Sequence, residues 1–359
     1  MLKAHRKFRE PTMRRTSRVF LPWLNSGKID TLTVFLHRCR DITQYYINFF
    51  WQRGDFSSIL ADTTTIHRAT ERFGITSRLA QALAKQAKET VRSAEGKSRP
   101  NLHNPTITLD SRFVTVEKFT GSFDYAVKLT GSGAPKIVIP LKSTEHINRK
   151  LADSWQIGNT VRMGIRKGRI FVDLILEKPR PKLKKSGEVV GIDSNYKAGV
   201  TTSRGEFIGG QAYTKIQSFA KRQKHTYAEA KNVVFNALRS LNFKGVKTLV
   251  IENLKRVRYG TRGKFPRVLN RRLSHWLYGA IAAWLERRCE EMGIQLVRKD
   301  PWKTSQRCSK CGKWDRRSRK GDLFRCVHCG FTDHADLNAP KNLVFLELAG
   351  AYSLRSLPN

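Results

Sequence analysis

From Leu32 to Phe50 the apolar positions Leu32, Phe35, Leu36, Cys39, Ile42, Tyr46, Phe49 and Phe50 recur at helical spacing, as on one face of an amphipathic helix. Cys39 lies on that face and reads as core. Between Ser77 and Ala94, Leu79, Leu83, Ala87 and Val91 form a second stripe, with Arg78, Lys85, Lys88 and Arg92 on other faces, as a solvated surface or as nucleic-acid contacts. From Ile107 to Glu177 the period shortens. The runs RFVTVEKF, YAVKLT, KIVIPL, NTVRMGI and RIFVDLIL, separated by glycine-containing turns such as RKGR, predict a small antiparallel barrel or sandwich. Ahead of these elements residues 1–27 are basic and broken by Pro11 and Pro22, with TSRVFLP as one strand.

The run KPRPKLKKSGE, Lys178 to Glu188, has proline and lysine but no apolar pattern, and marks a domain boundary. A second domain opens at Val189 with VVGIDSNYKAGVTTSRGEFIGG, which suits a strand, a turn and a hairpin partner. A helical region is expected from about Tyr213 to Leu241. VKTLVIENL then gives a buried-type strand ending at Glu252, followed by KRVRYGTRGKFPRVLNRR, which contains no acid. From Leu273 the residues Leu277, Ile281, Leu285 and Cys289 advance in steps of four, so Cys289 also reads as core, and Gly293 is placed to end that helix. IQLVRKD predicts a further strand.

Charge narrows the partner. The chain has 359 residues, 68 Lys and Arg against 29 Asp and Glu, and a formal net charge of +39. Such a field draws in polyanions. The basic residues are spread along the whole chain and not gathered on one amphipathic helix, which points to nucleic acid and away from a membrane surface. The start MLKAHRKFREPTMRRTSR lacks the apolar core of a signal peptide, and no later run approaches the ~20 apolar residues of a membrane span. The expectation is a cytoplasmic protein.

In a reducing compartment paired cysteines bind metal before they form disulfides. Cys308, Cys311, Cys326 and Cys329 form two CxxC pairs separated by fourteen residues, with Gly312 and Gly330 after each pair. This spacing lets four thiolates reach one tetrahedral Zn²⁺, a closed site that scaffolds and does not catalyse; redox dithiols or disulfides, or another metal, are the alternatives. Chemistry is then sought among acids. Asp193 ends the strand VVGID, Glu252 ends LVIE, and Asp336 opens the segment DLNAPKNL. Singly, Asp193 could begin a turn, Glu252 lead into a loop and Asp336 cap a helix. Brought together, three carboxylates would repel unless cations intervened, and such a cluster suits a Mg²⁺ pair, ~3.5–4 Å apart, that cleaves phosphodiesters in line.

GIDSNYKAGVTTSRG, LVIENL, TSQRCSKCG and DHADLNAPKNL, in this order from Val189 to about Phe345, resemble the split RuvC motifs and zinc ribbon of the transposon-encoded TnpB family and of the miniature type V CRISPR effectors. The amino-terminal half is similar only in architecture. The resemblance implies an α/β and β multi-domain chain: an amino-terminal wedge-like β-barrel with a helical recognition insertion, and a carboxy-terminal RNase H-like (RuvC) domain with an inserted zinc ribbon. The expected domains are a basic arm and first wedge strand (1–27), the helical insertion (28–100), the wedge barrel (101–180), a linker (181–188), the first part of the RuvC-like domain (189–300), the ribbon (301–331) and the final helix and tail (332–359).

By the same resemblance Asp193, Glu252 and Asp336 are the first, second and third catalytic acids, holding two Mg²⁺ ions. Cys308, Cys311, Cys326 and Cys329 hold one structural Zn²⁺, and Asp333 supports the turn before Asp336. Implied partners are a guide RNA from the transposon end and double-stranded target DNA, bound by a monomer in complex with its RNA. Two positions depart from the family. Asn195 stands where Asp-x-Gly is common, and asparagine also tolerates positive φ. Pro340 replaces the second of two alanines and is expected within a first helical turn, where proline is tolerated. The implied activity is RNA-guided DNA cleavage beside a short flanking motif. Rival readings are a nuclease-dead RNA-guided repressor, which would have lost an acid, a CRISPR effector served by a separate array, and a guide-free junction resolvase, which needs no 188-residue amino-terminal half.

Overall fold

The computed structural model describes residues 12–195, 199–210, 227–254 and 277–356. The arm 1–11, the turn after Asn195, the segment 213–226 of the expected helix, most of the basic run after Glu252 and the helix start at Leu273 lie outside the described residues. The chain divides into two compact units after Pro179.

In the first unit β1 (Thr12–Phe20) precedes three helices, α1 (Ser26–Gln52), α2 (Thr63–Phe73) and α3 (Ser77–Ser93). Each helix begins where a short polar side chain can accept from an amide three residues on: Asn25 from Lys28, Asp62 from Thr65 and Thr76 from Leu79. The stripes of α1 and α3 are buried, Cys39 among them, except for the half-buried Phe49. Lys88 departs from its expected exposed face. It is buried, paired with Asp55, and its ammonium lies 4.7 Å from the Phe50 ring centre, because helical geometry sets it beside Ala84 and Ala87 on the inner edge of α3. Arg78, Lys85 and Arg92 are exposed.

The β-rich run gives β2 (Thr106–Leu109), β3 (Val114–Lys118), β4 (Tyr125–Leu129), β5 (Ile137–Leu141), the short helix α4 (Glu145–Ala152), β6 (Gln156–Arg166) and β7 (Arg169–Pro179). Among the described residues these strands do not close into a barrel. They form a four-stranded antiparallel sheet in the order β1-β7-β6-β2 and a separate three-stranded meander β3-β4-β5. The expected closed wedge barrel is thus corrected to two sheets, since alternation reports which face is buried and not which edges pair. The turn RKGR is a two-residue hairpin, with Lys167 and Gly168 both at positive φ (50° and 71°), the twist that joins antiparallel strands without splaying them.

The second unit contains β8 (Glu188–Asn195), β9 (Gly199–Thr202), β10 (Phe207–Gly209), α5 (Tyr227–Leu238), β11 (Val246–Glu252), α6 (Tyr278–Met292) and β12 (Gln295–Lys299). Their sheet runs β10-β9-β8-β11-β12, antiparallel from β10 to β8 and parallel from β8 to β12. Ile281, Leu285 and Cys289 bury one side of α6, which ends at Gly293 in the left-handed region. A three-stranded antiparallel ribbon follows, β13 (Arg319–Lys320), β14 (Leu323–Arg325) and β15 (Thr332–His334), and leads without a break into α7 (Ala335–Leu348).

Helix α7 packs against β8 through a contact that only glycine permits. A Cβ on Gly191 would lie 2.0 Å from the Pro340 carbonyl oxygen. Pro340 is not in the first turn, as expected from sequence, but sixth in α7. There it supplies no N–H for the Asp336 carbonyl four residues back.

Candidate metal and active site

Parallel pairing of β8 with β11 sets Ile192 opposite Ile251, so the next residues, Asp193 and Glu252, stand side by side at the carboxyl ends of neighbouring strands. Their carboxyl groups are close enough to share a hydrogen bond when one of them carries a proton. Asp336 is the second residue of α7, and its charge acts on Asp193. The three predicted acids, 143 residues apart at the extremes, thus fall in one region, with Asp193 next to Glu252 and within reach of the charge of Asp336, although their carboxylate oxygens do not all lie within 4.8 Å of one another. Asp193 and Asp336 are buried and Glu252 is half-buried. Burial, then the charge of Asp336, pushes the Asp193 carboxyl up to about 6. Burial and the neighbouring Asp193 raise Glu252 well above the usual carboxylate range, against the hydrogen bond from the Thr304 hydroxyl to Glu252 Oε1 at 2.7 Å. Carboxylates crowded in this way favour protons or divalent cations over mutual repulsion, and an all-oxygen set suits Mg²⁺.

Asp336 is not a helix cap. The cap is His334, whose Nδ1 accepts from the Asp336 amide at 3.1 Å, leaving the Asp336 carboxylate free of that duty. The ribbon contributes one cation, Arg319, whose guanidinium lies 3.6 Å from Asp336 Oδ1. Asp333 accepts from the His334 amide and pairs with Lys341 at 2.6 Å, which fixes the entry to α7. Thr304, Arg319, His334 and Gly191 carry no periodic or spacing signal that marks them in the sequence. Only the convergence of separate elements makes them neighbours of the acids.

The four cysteines come together as their spacing predicted. Their Sγ atoms all lie within 4.8 Å of one another, with Cys308 to Cys329 at 3.7 Å and Cys311 to Cys326 at 3.6 Å. The amides of Lys310 and Cys311 point back at Cys308 Sγ, 3.4 and 3.5 Å away. Four sulfur donors at these separations fit one tetrahedral Zn²⁺. Two buried asparagines one turn apart tie this knuckle to α7. Asn338 donates to the Arg307 carbonyl and accepts from the Ser309 amide, and Asn342 donates to the carbonyls of Thr304 and Arg307. The segment carrying Thr304 and Cys308 is thus bonded to the helix carrying Asp336.

Residues 278–343 match the family model described as Cas12f1-like, TNB domain. Among curated proteins the chain is 32% identical over 134 residues to the CRISPR-associated endodeoxyribonuclease Cas12f1 of Sulfoacidibacillus thermotolerans, covering 37% of this chain and 28% of that protein. It is 37% identical over 114 residues to a TnpB-like protein of Aquifex aeolicus, covering 31% of this chain and 37% of the relative. These matches span well under half the length of those relatives. Among solved structures, Cas12f1 in a complex with sgRNA and target DNA superposes with a TM-score of 0.51 at 13% identity, over 89% of this chain and 83% of that one, a likeness of fold. The resemblance to the TnpB and miniature type V proteins read from the motifs holds.

Proposed function

We propose that this protein is an RNA-guided DNA endonuclease of the TnpB type, which cleaves guide-matched DNA beside a short flanking motif by two-metal phosphodiester hydrolysis. The observation that carries the reading is the convergence of Asp193, Glu252 and Asp336 at buried strand and helix ends in a chain of net charge +39. A purely structural role would leave three acids repelling one another in a poorly hydrated place. The strand order of the second unit and the similarity to Cas12f1 and TnpB-like proteins support an RNase H-like, RuvC-type domain.

Asp193, Glu252 and Asp336 would hold two Mg²⁺ ions. Bound there, the ions supply activation of the attacking water and stabilisation of the leaving 3′ oxygen. Thr304 fixes the rotamer of Glu252, and Arg319 offers positive charge beside Asp336. The zinc-binding cysteines have no open position for substrate, and their role is to hold α7 in register. Lys and Arg along the chain bind guide RNA from the transposon end and the RNA–DNA duplex through their backbones, while base pairing reads the target. The working unit is a cytoplasmic monomer with its RNA. A second reading, a miniature type V effector served by a separate array, is favoured by the similarity to Cas12f1.

The test is cleavage of a plasmid matching the RNA that co-purifies with the protein and carrying candidate flanking motifs, with Mg²⁺. Asp193→Ala and Glu252→Ala should each abolish cleavage, and the double variant should be hardly worse than either, because the acids act as one unit. A single RNA species covering a transposon end supports the TnpB reading, and repeat-derived RNA supports the type V reading. A wild-type protein that binds its target without cutting it would favour a repressor.

A further inference from the structure

The end of strand β9 and the turn that follows carry three consecutive hydroxyl side chains, Thr201, Thr202 and Ser203, and two of them have partners. The Thr202 hydroxyl donates to Glu206 at 2.8 Å, and Ser203 Oγ accepts from the Gly191 amide at 3.1 Å. Thr201 differs. It is 0% exposed, and its Oγ1 has no hydrogen-bond partner among the described residues. An orphaned buried hydroxyl is destabilising, and valine would fill the same volume and keep the branched Cβ a strand favours, without that cost. The position of Thr201 supplies the reason for the hydroxyl. In the antiparallel pairing of β8 with β9, Thr201 lies directly opposite Asp193, so both side chains project from the same face of the sheet. Gly191, two residues before Asp193 and on that same face, touches α7 at Pro340. The orphaned hydroxyl therefore lies beside Asp193, on the side of the sheet from which Asp336 arrives.

We infer that Thr201 is a positioning residue of the carboxylate site, its hydroxyl donating to the Asp193 carboxylate when that carboxylate holds a divalent cation. The inference rests on the metal-site reading above. Without a cation, Asp193 shares a hydrogen bond with Glu252 when one of the two carries a proton. A cation between the acids draws the two carboxylates onto itself and ends that bond, so one Asp193 oxygen needs a donor from the protein. Thr201 is the buried donor placed across the strand to provide it. Such outer contacts orient a ligand and set metal affinity, typically by ten- to a hundredfold.

The probe is Mn²⁺ alone, titrated calorimetrically into zinc-replete protein, with Asp193→Ala defining the carboxylate site. Thr201→Val should weaken the Asp193-dependent binding by about tenfold, and Thr201→Ser should restore it. In metal-free protein the melting temperature of Thr201→Val should equal or exceed that of the wild type, because an unpaired hydroxyl has been removed. If Asp193→Ala abolishes binding and Thr201→Val does not alter it, the role of Thr201 is overturned while the metal site stands. A lower metal-free melting temperature in Thr201→Val, rescued by serine, would show that the hydroxyl already has a structural partner and overturns the inference as well. Binding unchanged in Asp193→Ala would overturn the metal-site reading and the role of Thr201 with it.

Discussion

At the scale of single residues, the carboxylates divide by what surrounds them. Asp173 is fully buried in the first unit between two guanidiniums, Arg18 at 2.7 and 2.8 Å and Arg162 at 3.0 and 2.8 Å. Burial alone would raise its pKa, but the hydrogen bonds from Arg18 and Arg162 outweigh it and hold the carboxyl below its usual range. Asp193 is raised by burial and then by the charge of Asp336, with no guanidinium pair of this kind among the described residues to offset them. The first arrangement is what a structural acid looks like, the second what a ligand looks like. For Asp173 the sign is fixed: a depressed acid stabilises the fold above its unfolded pKa of about 3.9 and loses that contribution as pH falls through its lower folded value. Asp173→Asn should cost about 2 kcal/mol at pH 7, less than a fully buried pair because both arginines are partly exposed, and less at pH 3, below the unfolded pKa, where part of that contribution is gone. Thermal melts of the two proteins at both pH values check this. Parallel melts separated by the same interval at each pH would contradict it. The placement of Asp193 and Glu252 near strand ends and of Asp336 at a helix start was legible in sequence. Thr201, Thr304 and Arg319 were not, because a hydroxyl or an arginine acquires meaning only from register and from elements far away in the chain.

At the scale of elements, periodicity located the long helices and strands but not their closure. The stripes on α1, α3 and α6 stand out because each runs for several turns and a helix buries one face. Strand β2, with four residues, and α4, with eight, offer too few repeats to declare a period. The association of β3, β4 and β5 into their own sheet depends on edge pairing, which leaves no periodic trace. Pro340 illustrates a local rule overridden by a tertiary one, since a proline six residues into a helix is unfavourable by itself but here its carbonyl lies against the one β8 residue without a side chain. Gly191→Ala should therefore push α7 off β8, lower stability by about 2 kcal/mol as overpacking does, and reduce cleavage at least tenfold through displacement of Asp336. Gly279→Ala is the control. It lies in α6 with nothing within 4 Å of its added methyl, so helix propensity makes it neutral or slightly stabilising. Melting curves and cleavage rates of the two variants should diverge, and equal behaviour would show that the approach of α7 to β8 is more yielding than its geometry implies.

At the scale of the whole molecule, the three acids of the proposed site sit in a chain of net charge +39. Composition points to a polyanionic partner, and no helix among the described residues is long and apolar enough to cross a membrane. It could not announce the chemistry, because net charge describes attraction and not the site. The two proposed roles separate experimentally, since binding would be a sum over many phosphate contacts while cleavage would depend on three carboxylates. Guide-RNA affinity should fall by about a thousandfold or more between roughly 50 and 200 mM salt, the loss expected when six to ten phosphates are neutralised. Asp336→Ala removes one negative charge and takes the chain from +39 to +40, so its RNA and target binding should follow the wild-type salt curve or lie slightly above it. The same variant should lose cleavage by at least about a thousandfold, because an emptied metal position is not replaced by charge elsewhere. Filter binding across the salt series, beside plasmid cleavage on the same preparations, measures both. A flat salt response would deny the electrostatic origin of binding. Asp336→Ala cutting at the wild-type rate would remove Asp336 from the site and leave Asp333, salt-bridged to Lys341 at the foot of α7, as the acid to test next.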